Sequence, residues 1–484
     1  MKIAFIQHVP TLHINKGLAY VMSAVGHNFD VSLYDINVGA KSFEAFLQKR
    51  LALDNPAFIC FSVNSFSFGS AINLAGFCKN ICPDAQIIFG GVHATLMPEE
   101  TLGYREVDYI CIGEGEEAML ELLHSHLHNK ESIIPGIWRK DREENIVKAP
   151  LRPYIKDIDG LPMLNLDYWD MEKYIGYNRE FGRGLDILSS RGCPFDCNFC
   201  SAPALRRKIP GAYYRLRDSK LVAEEIDHQY KRYKHLGIQF LSFDDACFGY
   251  NIQHLKVLAK ELRQKGFPYG LPVVSQAHPA MVNKEWIQAV KAIGCSLIVI
   301  GIESGDENIR CNVYNKNVTN KQVRSIVHDL KDARLMFSFY FMVHAPKENG
   351  ISLLRTFMML MRVMPTNECV SVFRSLPATK MSEEIKPDLW YLNNKRSVFL
   401  QFPNMKHPFS SSLYLGYKLY SSIVRGLQLQ GARFIVDIVK YLLKVRLFKQ
   451  DTRQVLSDLY RATIVEYELA NYNKAKDETE ILQS

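Results

Sequence analysis

Three cysteines stand close together in the segment SSRGCPFDCNFC, at positions 193, 197 and 200. Their C-x3-C-x2-C spacing puts three thiolates on one short loop, which contains a glycine and a proline and directly follows an apolar run. Cysteine thiolates ligate iron–sulfur clusters, and most electron-transfer clusters use four of them. Three thiolates hold three irons of a cubane and leave the fourth iron open. The spacing therefore predicts a [4Fe–4S] cluster on Cys193, Cys197 and Cys200, with one iron available to a non-protein ligand.

Two simpler interpretations of this triplet compete with a cluster. A zinc ion would need a further Cys or His as its fourth ligand, and the neighbouring loop offers neither. Unrelated cysteines are the other possibility, but among 11 cysteines in 484 residues this spacing arises by chance in roughly one chain in a few hundred. The cluster is therefore the favoured interpretation.

The elements ahead of the triplet alternate strand-like apolar runs with helical patterns. The strand-like runs lie at 3–7, 30–36, 57–63, 85–91 and 107–113. Helical patterns separate them near 17–27, 42–53, 70–81 and 115–127. This alternation predicts an α/β, doubly wound parallel sheet, Rossmann-like, over residues 1–130. Such sheets bind ligands in the crevice beyond the carboxyl ends of their strands.

A second strand–helix series follows a Pro- and charge-rich linker at 131–180. Its strand-like runs lie at 185–190, 238–243, 270–275, 296–302, 336–343 and 369–375. Six βα units predict a partial, open (β/α)6 barrel over 181–378 rather than a closed eight-stranded one. From 379 to 484 the pattern is helical without strands, which predicts a helical C-terminal domain.

The triplet after the first strand of this series resembles the signature of the radical S-adenosyl-L-methionine (SAM) superfamily. The resemblance implies reductive cleavage of SAM to a 5′-deoxyadenosyl radical, with the amino and carboxylate groups of SAM on the open iron. It extends to the segments LSFDDACF (241–248) and IGIESGDE (300–307), which end the second and fourth strands. The residues that it assigns to SAM are Phe199, Asp244, Asp245, Ser275, Gly301 and Glu303.

Two segments depart from the related branch of that superfamily. After the third strand the branch usually shows an arginine, and here the chain reads SQAHPAM (275–281). The fifth strand usually ends in a GLPGET-like turn, and here it ends in HAPKENG (344–350). His278 and His344 are therefore either structural or specific to this lineage. Cys247, which follows the aspartate pair, either packs in the core or points at the site.

The first domain ends its fourth strand with two adjacent glycines, which let a bulky ligand approach the backbone. Tight strand–helix packing explains such a pair equally well. Together with SVNSFSFGSA (62–71) and VDYICIGEGEEAMLELL (107–123), however, the segment resembles the cobalamin-binding domain found in one branch of radical SAM enzymes. The residues that the resemblance assigns to cobalamin are Ser62, Asn64, Ser65, Gly90, Gly91, His93, Gly113 and Glu114.

The loop after the first strand lacks the usual cobalt-ligating pattern. Domains that ligate cobalt through histidine carry D-x-H-x-x-G there, whereas this loop reads QHVPTLHINKG (7–17). It has no Asp at the matching place, and the spacing from His13 to Gly17 is one residue too long. Either the lower face of cobalt lacks a histidine ligand, or the domain has lost cobalamin.

Charge and composition restrict the partners of the chain. The net charge is only +8, and the basic excess is concentrated at 414–453, so no nucleic-acid surface is indicated. Within it, 431–450 has the pattern of an amphipathic basic helix, which is either a lid on the barrel or a peripheral membrane contact. The sequence shows neither a signal peptide nor a run of about 18 apolar residues, which predicts a cytoplasmic protein.

These features together predict a cobalamin-dependent radical SAM enzyme that methylates an unactivated carbon of a small-molecule biosynthetic intermediate. Its cluster would receive electrons from a donor such as flavodoxin or ferredoxin. Within the same branch, oxidative cyclisation, as in the anaerobic magnesium-protoporphyrin ester cyclase, or rearrangement remains an alternative. A non-catalytic cobalamin or redox carrier is the alternative of another class, but a carrier has no use for an open iron.

Overall fold

The computed structural model describes residues 1–8, 13–37, 42–130, 132–176 and 183–385. Among these, 1–349 and 365–385 belong to one compact unit. The helix α13 (Gly350–Val363) belongs to a second unit and is described by itself.

The first part of the chain forms a seven-stranded sheet in the order β2-β1-β3-β4-β5-β6-β7. Its strands are β1 (Lys2–Gln7), β2 (Asp30–Asp35), β3 (Phe58–Ser62), β4 (Gln86–Gly90), β5 (Tyr109–Cys111), β6 (Ile137–Lys140) and β7 (Ile146–Val147). The pairs among β1 to β5 are all parallel. The prediction of a doubly wound parallel sheet is therefore confirmed.

The helices of this domain follow the expected alternation. They are α1 (Lys16–Val25), α2 (Phe43–Asp54), α3 (Phe68–Ile81), α4 (Gly91–Leu96), α5 (Pro98–Leu102) and α6 (Glu116–Leu127). Side-chain caps fix where the first two begin, because Asn15 accepts the Leu18 amide and Ser42 accepts the Ala45 amide. Such caps satisfy amides that lack a partner in the first helical turn.

The segment expected to be a linker contributes two strands of its own. β6 pairs antiparallel with β5, and β7 pairs antiparallel with β6. The indole of Trp138 anchors this hairpin by donating to the Ala149 carbonyl at 2.8 Å. The four- and two-residue strands are too short for alternation to stand out in a charged segment. Farther along, the described part of the segment contains a 3-10 turn (Leu166–Tyr168) and α7 (Met171–Gly176).

The second part forms a six-stranded sheet in the order β15-β14-β13-β12-β11-β8. Its strands are β8 (Gly184–Ile187), β11 (Phe240–Phe243), β12 (Val273–Ala277), β13 (Cys295–Glu303), β14 (Met336–Val343) and β15 (Asn367–Val372), and a separate two-stranded ribbon joins β9 (Ser190–Arg191) and β10 (Arg215–Leu216). All pairs in the six-stranded sheet are parallel. β8 and β15 lie at opposite edges, so the partial, open (β/α)6 barrel is confirmed.

Helices alternate with these strands. They are α8 (Ser201–Lys208), α9 (Ser219–Tyr233), α10 (Ile252–Gln264), α11 (Lys284–Ile293), α12 (Asn320–Asp332), α13 (Gly350–Val363) and α14 (Lys380–Glu384). The largest buried side chain of this region is Trp286 on α11, whose indole donates to the Gly249 carbonyl at 3.1 Å. Thr319 and Gln322 form a reciprocal capping box that begins α12.

The predicted helical domain at 379–484 lies outside the described residues beyond 385, and so does the predicted amphipathic helix at 431–450. Only α14 falls in the described part. No helix in the described ranges has both the length and the apolar character that crossing a membrane requires.

Candidate functional site

The cysteine loop leaves β9 at the carboxyl end of the barrel. Cys197 is buried, and Cys193 and Cys200 are partly exposed. The loop begins at Gly192, whose φ is +83° and where a side chain would overlap the Tyr213 carbonyl oxygen. Cys200 caps α8 by accepting the Ala202 amide at 3.5 Å. The backbone therefore presents the three thiols together without needing a metal to gather them.

The arrangement of the thiols suits a cluster better than a single ion. Among the described residues, the only three ligand atoms that lie within 4.8 Å of one another belong to His328, Asp329 and Asp332, which are unrelated to the loop. Thiolates at about 2.3 Å from one tetrahedral zinc would meet well within that distance. A cubane, in which each thiolate has its own iron, does not require the three sulfurs to converge in this way.

Cys247 lies against the cysteine loop. Its thiol hydrogen-bonds Cys193, and this bond is the main cause that lowers the pKa of Cys193 to about 7. Burial raises the pKa of Cys197 and of Cys200. Cys247 is also 1% exposed and donates to Met281 Sδ at 3.4 Å, so it packs in the core while it contacts the cysteine loop.

The aspartate pair after β11 divides into two roles. Asp245 is fully buried, and its carboxylate accepts hydrogen bonds from the Ser189 amide, from the Ser189 hydroxyl at 2.9 Å and from the Ser190 hydroxyl. We expected Asp245 to contact SAM, but the structure uses it to hold the two serines that lead into the cysteine loop. It is a positioning residue.

Asp244, in contrast, is open to solvent. The protein around its carboxyl nevertheless displaces much of the nearby water, and this desolvation, followed by the charge of Asp186 on β8, raises the pKa of the carboxyl to about 6. His13 and Lys16 reach the same place from the β1–α1 loop, with His13 Nδ1 3.8 Å from the Asp186 carboxylate and Lys16 donating to the Asp186 carbonyl at 3.3 Å. The loop that lacks the cobalt-ligating pattern thus meets the barrel at these carboxylates.

A buried lysine, Lys316, contacts the end of β13, and the sequence analysis did not identify it. Lys316 donates to Glu303 Oε1 and to the Gly301 carbonyl, both at 2.7 Å, and is 5% exposed. Its Nζ lies 5.8 Å from the ring centre of Phe199. Burial would lower the pKa of Lys316, but Glu303 and Cys197 outweigh burial and raise it. Three residues assigned to SAM are therefore gathered around one ammonium group beside the cluster loop.

The remaining SAM assignment and the two histidines have distinct surroundings. Ser275 is fully buried within β12 beside the Cys295 thiol, and does not line an open surface. His278 follows β12, its Nε2 is 3.8 Å from Cys197 Sγ, and burial lowers its pKa to about 3. The amide of His344 donates to Glu348, whose carboxylate holds the turn after β14.

The residues predicted to contact cobalamin lie where β3, β4 and β5 end. Gly91 has a φ of +89°, and a Cβ there would come within 2.6 Å of the Val63 carbonyl oxygen. Gly113 also has a positive φ, +90°. Gly90, Gly91 and Gly113 bring no side chain to this edge of the sheet, which suits a bulky planar ligand resting on the backbone.

The polar residues of this crevice are ordered by one another. Ser62 accepts from the Asn15 side chain at 3.2 Å, and the side chain of Asn64 accepts the Phe66 amide at 2.9 Å. Ser65 bonds the ring of His93 at 3.0 Å.

His93 itself is 1% exposed and stacks on Phe68 with ring centres 4.0 Å apart. Burial lowers its pKa to about 4. The structure therefore gives His93 a packing role beneath the glycines.

Glu114 does not face the cobalamin crevice as we expected. Its carboxylate bonds Arg191 and Arg215 at 2.8 Å and accepts the Ile155 amide at 2.8 Å. The same Arg191 bonds Glu116 at 2.7 Å. The β5–α6 loop of the first domain is thereby attached to the ribbon that opens the cysteine loop, because Arg191 is two residues before Cys193.

Comparison with known families agrees with both halves of this arrangement. The family model described as B12 binding domain matches residues 3–123, and the model described as Radical SAM superfamily matches residues 187–360.

A methyltransferase of Pyrococcus horikoshii, named PH0819 and described as uncharacterized, is 28% identical over 69% of this chain and 70% of its own length. The anaerobic magnesium-protoporphyrin IX monomethyl ester cyclase of Cereibacter sphaeroides is 25% identical over 67% of this chain. The chain spans only 52% of that cyclase.

Among solved structures, the radical SAM methyltransferase TsrM from Kitasatospora setae, with cobalamin and a [4Fe–4S] cluster bound, superposes with a TM-score of 0.64. It is 19% identical, and the match covers 79% of this chain and 77% of TsrM. The two proteins share their fold.

Replacing Glu114 by Ala should destabilise the protein by about 3–5 kcal/mol, because two buried arginines lose their carboxylate. Denaturant unfolding measures this, and Glu117→Ala is the matched control, since its exposed pair with Arg152 should be worth about 1 kcal/mol or less. Burial tends to raise the pKa of Glu114, but Arg215 and Arg191 hold it below its usual value. The stabilisation of the folded protein by ionised Glu114 should therefore be present above about pH 4.3. It should be lost as the pH falls through the pKa of Glu114 in the folded state. Equal effects of the two substitutions would contradict this role.

Replacing Gly91 by Ala should weaken cobalamin binding by about tenfold, because a side chain at a positive φ costs about 1–3 kcal/mol and forces the backbone away from Val63. Gly270→Ala is the control, since Gly270 has a similarly positive φ of +76°, lies outside the first domain, and a Cβ there would meet nothing within 4 Å. Cobalamin retained after dialysis gives the affinity, and iron content should be unchanged in both variants. A Gly91→Ala protein that binds cobalamin like the wild type would show that this turn is not part of the cradle.

Proposed function

Because the chain belongs to the radical SAM enzymes that carry a cobalamin-binding domain, we propose that it transfers a methyl group from SAM to an unactivated carbon of a small-molecule substrate. The observation that carries the proposal is the attachment of the glycine-lined crevice to the cysteine loop through Glu114, Glu116 and Arg191. When bound, the cluster supplies the electron for reductive cleavage of SAM, and cobalamin supplies a carrier for the methyl group.

Separate groups of residues would hold the cluster, SAM and cobalamin. Asp245 fixes Ser189 and Ser190 ahead of the three thiolates that take the cluster. Lys316, with Glu303 and Gly301, would orient the adenosine side of SAM, and Phe199 would flank its adenine. Asp244, once ionised above about pH 6, offers a carboxylate to the amino group of SAM. Gly90, Gly91 and Gly113 would take cobalamin at the opposite strand ends.

Oxidative cyclisation is the second candidate, because the Cereibacter cyclase is similar to this chain over 67% of the chain's length. A non-catalytic carrier is disfavoured, because the triplet is intact within the segment that the radical SAM model matches.

Methyl transfer uses two SAM molecules for each product, one as the methyl donor and one as the source of the radical. S-adenosylhomocysteine and 5′-deoxyadenosine should therefore form in near-equal amounts. We expect this from reconstituted protein given methyl-deuterated SAM, a strong reductant and a small-molecule extract of its source cells. The methylated product should carry the deuterated methyl group. Cys193→Ala should abolish 5′-deoxyadenosine, whereas Cys78→Ala, at a buried position on α3 of the first domain, should not. An unlabelled product with 5′-deoxyadenosine alone would favour the cyclase.

We further propose that an acidic one-electron donor protein, such as a flavodoxin or a ferredoxin, docks beside the cysteine loop. A cavity of about 180 Å³ there is lined by Cys197 and Cys200 and also by Arg207 and Lys380. Both cations are exposed, and the last turn of α8 is basic throughout. Complementary charge of this kind steers association more than it adds affinity.

Reversing the charge at Arg207 or Lys380 to Glu should slow cluster reduction by reduced flavodoxin several-fold, because steering is lost. Stopped-flow bleaching of the cluster measures the rate, and the difference should shrink at high salt. Arg142→Glu, at the exposed turn between β6 and β7, is the matched control. Reduction by dithionite should be the same in all variants. Variants that flavodoxin reduces at the wild-type rate would exclude this surface.

A further inference from the structure

Two contacts fix the orientation of the His278 ring beside the cysteine loop. Its Nδ1 accepts the Ala280 amide at 3.2 Å. Its ring stacks on Phe195, with ring centres 3.6 Å apart and planes inclined by 13°. Phe195 lies inside the cysteine loop, between Cys193 and Cys197. The imidazole is therefore oriented from both sides with respect to that loop.

The bond to Ala280 determines where the imidazole carries its proton. A ring nitrogen that accepts a hydrogen bond has no proton of its own, so a neutral ring must carry it on the other nitrogen. Nε2 of His278 is therefore an N–H donor. It lies 3.8 Å from Sγ of Cys197, within the longer range of hydrogen bonds to sulfur. The geometry makes His278 a donor to a thiolate that is predicted to ligate iron.

A purely structural role does not explain the choice of histidine. Its Nδ1 caps the short turn Pro279–Met281, but Asn, Asp or Ser caps such turns as well. Those side chains are too short to cap the turn and reach Cys197 together. Histidine does both, because its two nitrogens lie on opposite sides of one rigid ring.

We propose that His278 raises the reduction potential of the cluster through an Nε2–H···Sγ hydrogen bond to Cys197. The inference rests on the proposed function, because it requires the cluster on the three cysteines. Reduction adds negative charge that spreads onto the ligand sulfurs, and a donor at a sulfur stabilises that charge. His278 is thus a positioning and tuning residue rather than a ligand of the iron.

The test compares His278→Phe with His278→Gln in the full-length protein carrying its cluster. Phe keeps the stack on Phe195 and loses the donor, so the midpoint potential in an EPR-monitored titration should become more negative. Gln restores an N–H near the position of Nε2, so its potential should return toward the wild-type value. His328→Phe, an exposed position on α12, should cause no shift. A potential unchanged in His278→Phe, or lowered equally in both His278 variants, would overturn the proposal.

A measurement on the wild type decides the case if His278→Phe fails to take up a cluster. Pulsed EPR of the reduced cluster in protein labelled with ¹⁵N-histidine should reveal a weak nitrogen coupling. The coupling should be absent from labelled His278→Gln. No coupling, or one as strong as that of a direct iron ligand, would refute the hydrogen bond. A wild-type protein that binds no iron would instead refute the proposed function, so the two failures are distinguishable.

Discussion

The carboxylate of Glu114, placed between two arginines, is the interaction on which the arrangement of the two domains depends. It accepts from Arg191 and Arg215, and the Ile155 amide completes its shell. Charges this well buried are stable only when every partner is present. The crevice of one domain and the cysteine loop of the other are therefore attached through this buried carboxylate. The proposed radical chemistry would benefit from such an attachment, because it requires the reacting groups to be held in one geometry.

Sequence periodicity predicted the two parallel sheets, since strands buried on both faces appear as continuous apolar runs. The spacing of the three cysteines predicted the cysteine loop. It did not predict the partners of polar side chains. Glu114 pairs with residues 77 and 101 positions away, and only the fold brings them together. Asp244 and Asp245 are chemically identical neighbours, yet alternation along the chain turns one outward and the other into the core. Lys316 stands in a polar turn, where nothing local distinguishes a buried cation from a solvated one.

The site residues themselves form two layers. The inner layer is set by glycines at Gly91, Gly113 and Gly192, each at a positive φ, where the backbone rather than a side chain shapes the surface. The outer layer consists of charged and hydrogen-bonding groups that hold those turns. Motif positions in the sequence single out Gly91 and Gly113, and the structure shows that both have a positive φ. The same motif positions misassign members of the outer layer, as with Asp245 and Glu114, because both layers are close in sequence.

The hairpin of β6 and β7 has a consequence for the solution behaviour of the chain. Without it, β5 would leave the backbone amides and carbonyls of an edge strand open to pairing with another polypeptide. β6 occupies that edge, and the sheet then ends at β7, which is only two residues long. A strand this short offers almost no ladder for a foreign chain to extend. The two-residue strand thus works as a terminator that discourages edge-to-edge aggregation on this side of the sheet.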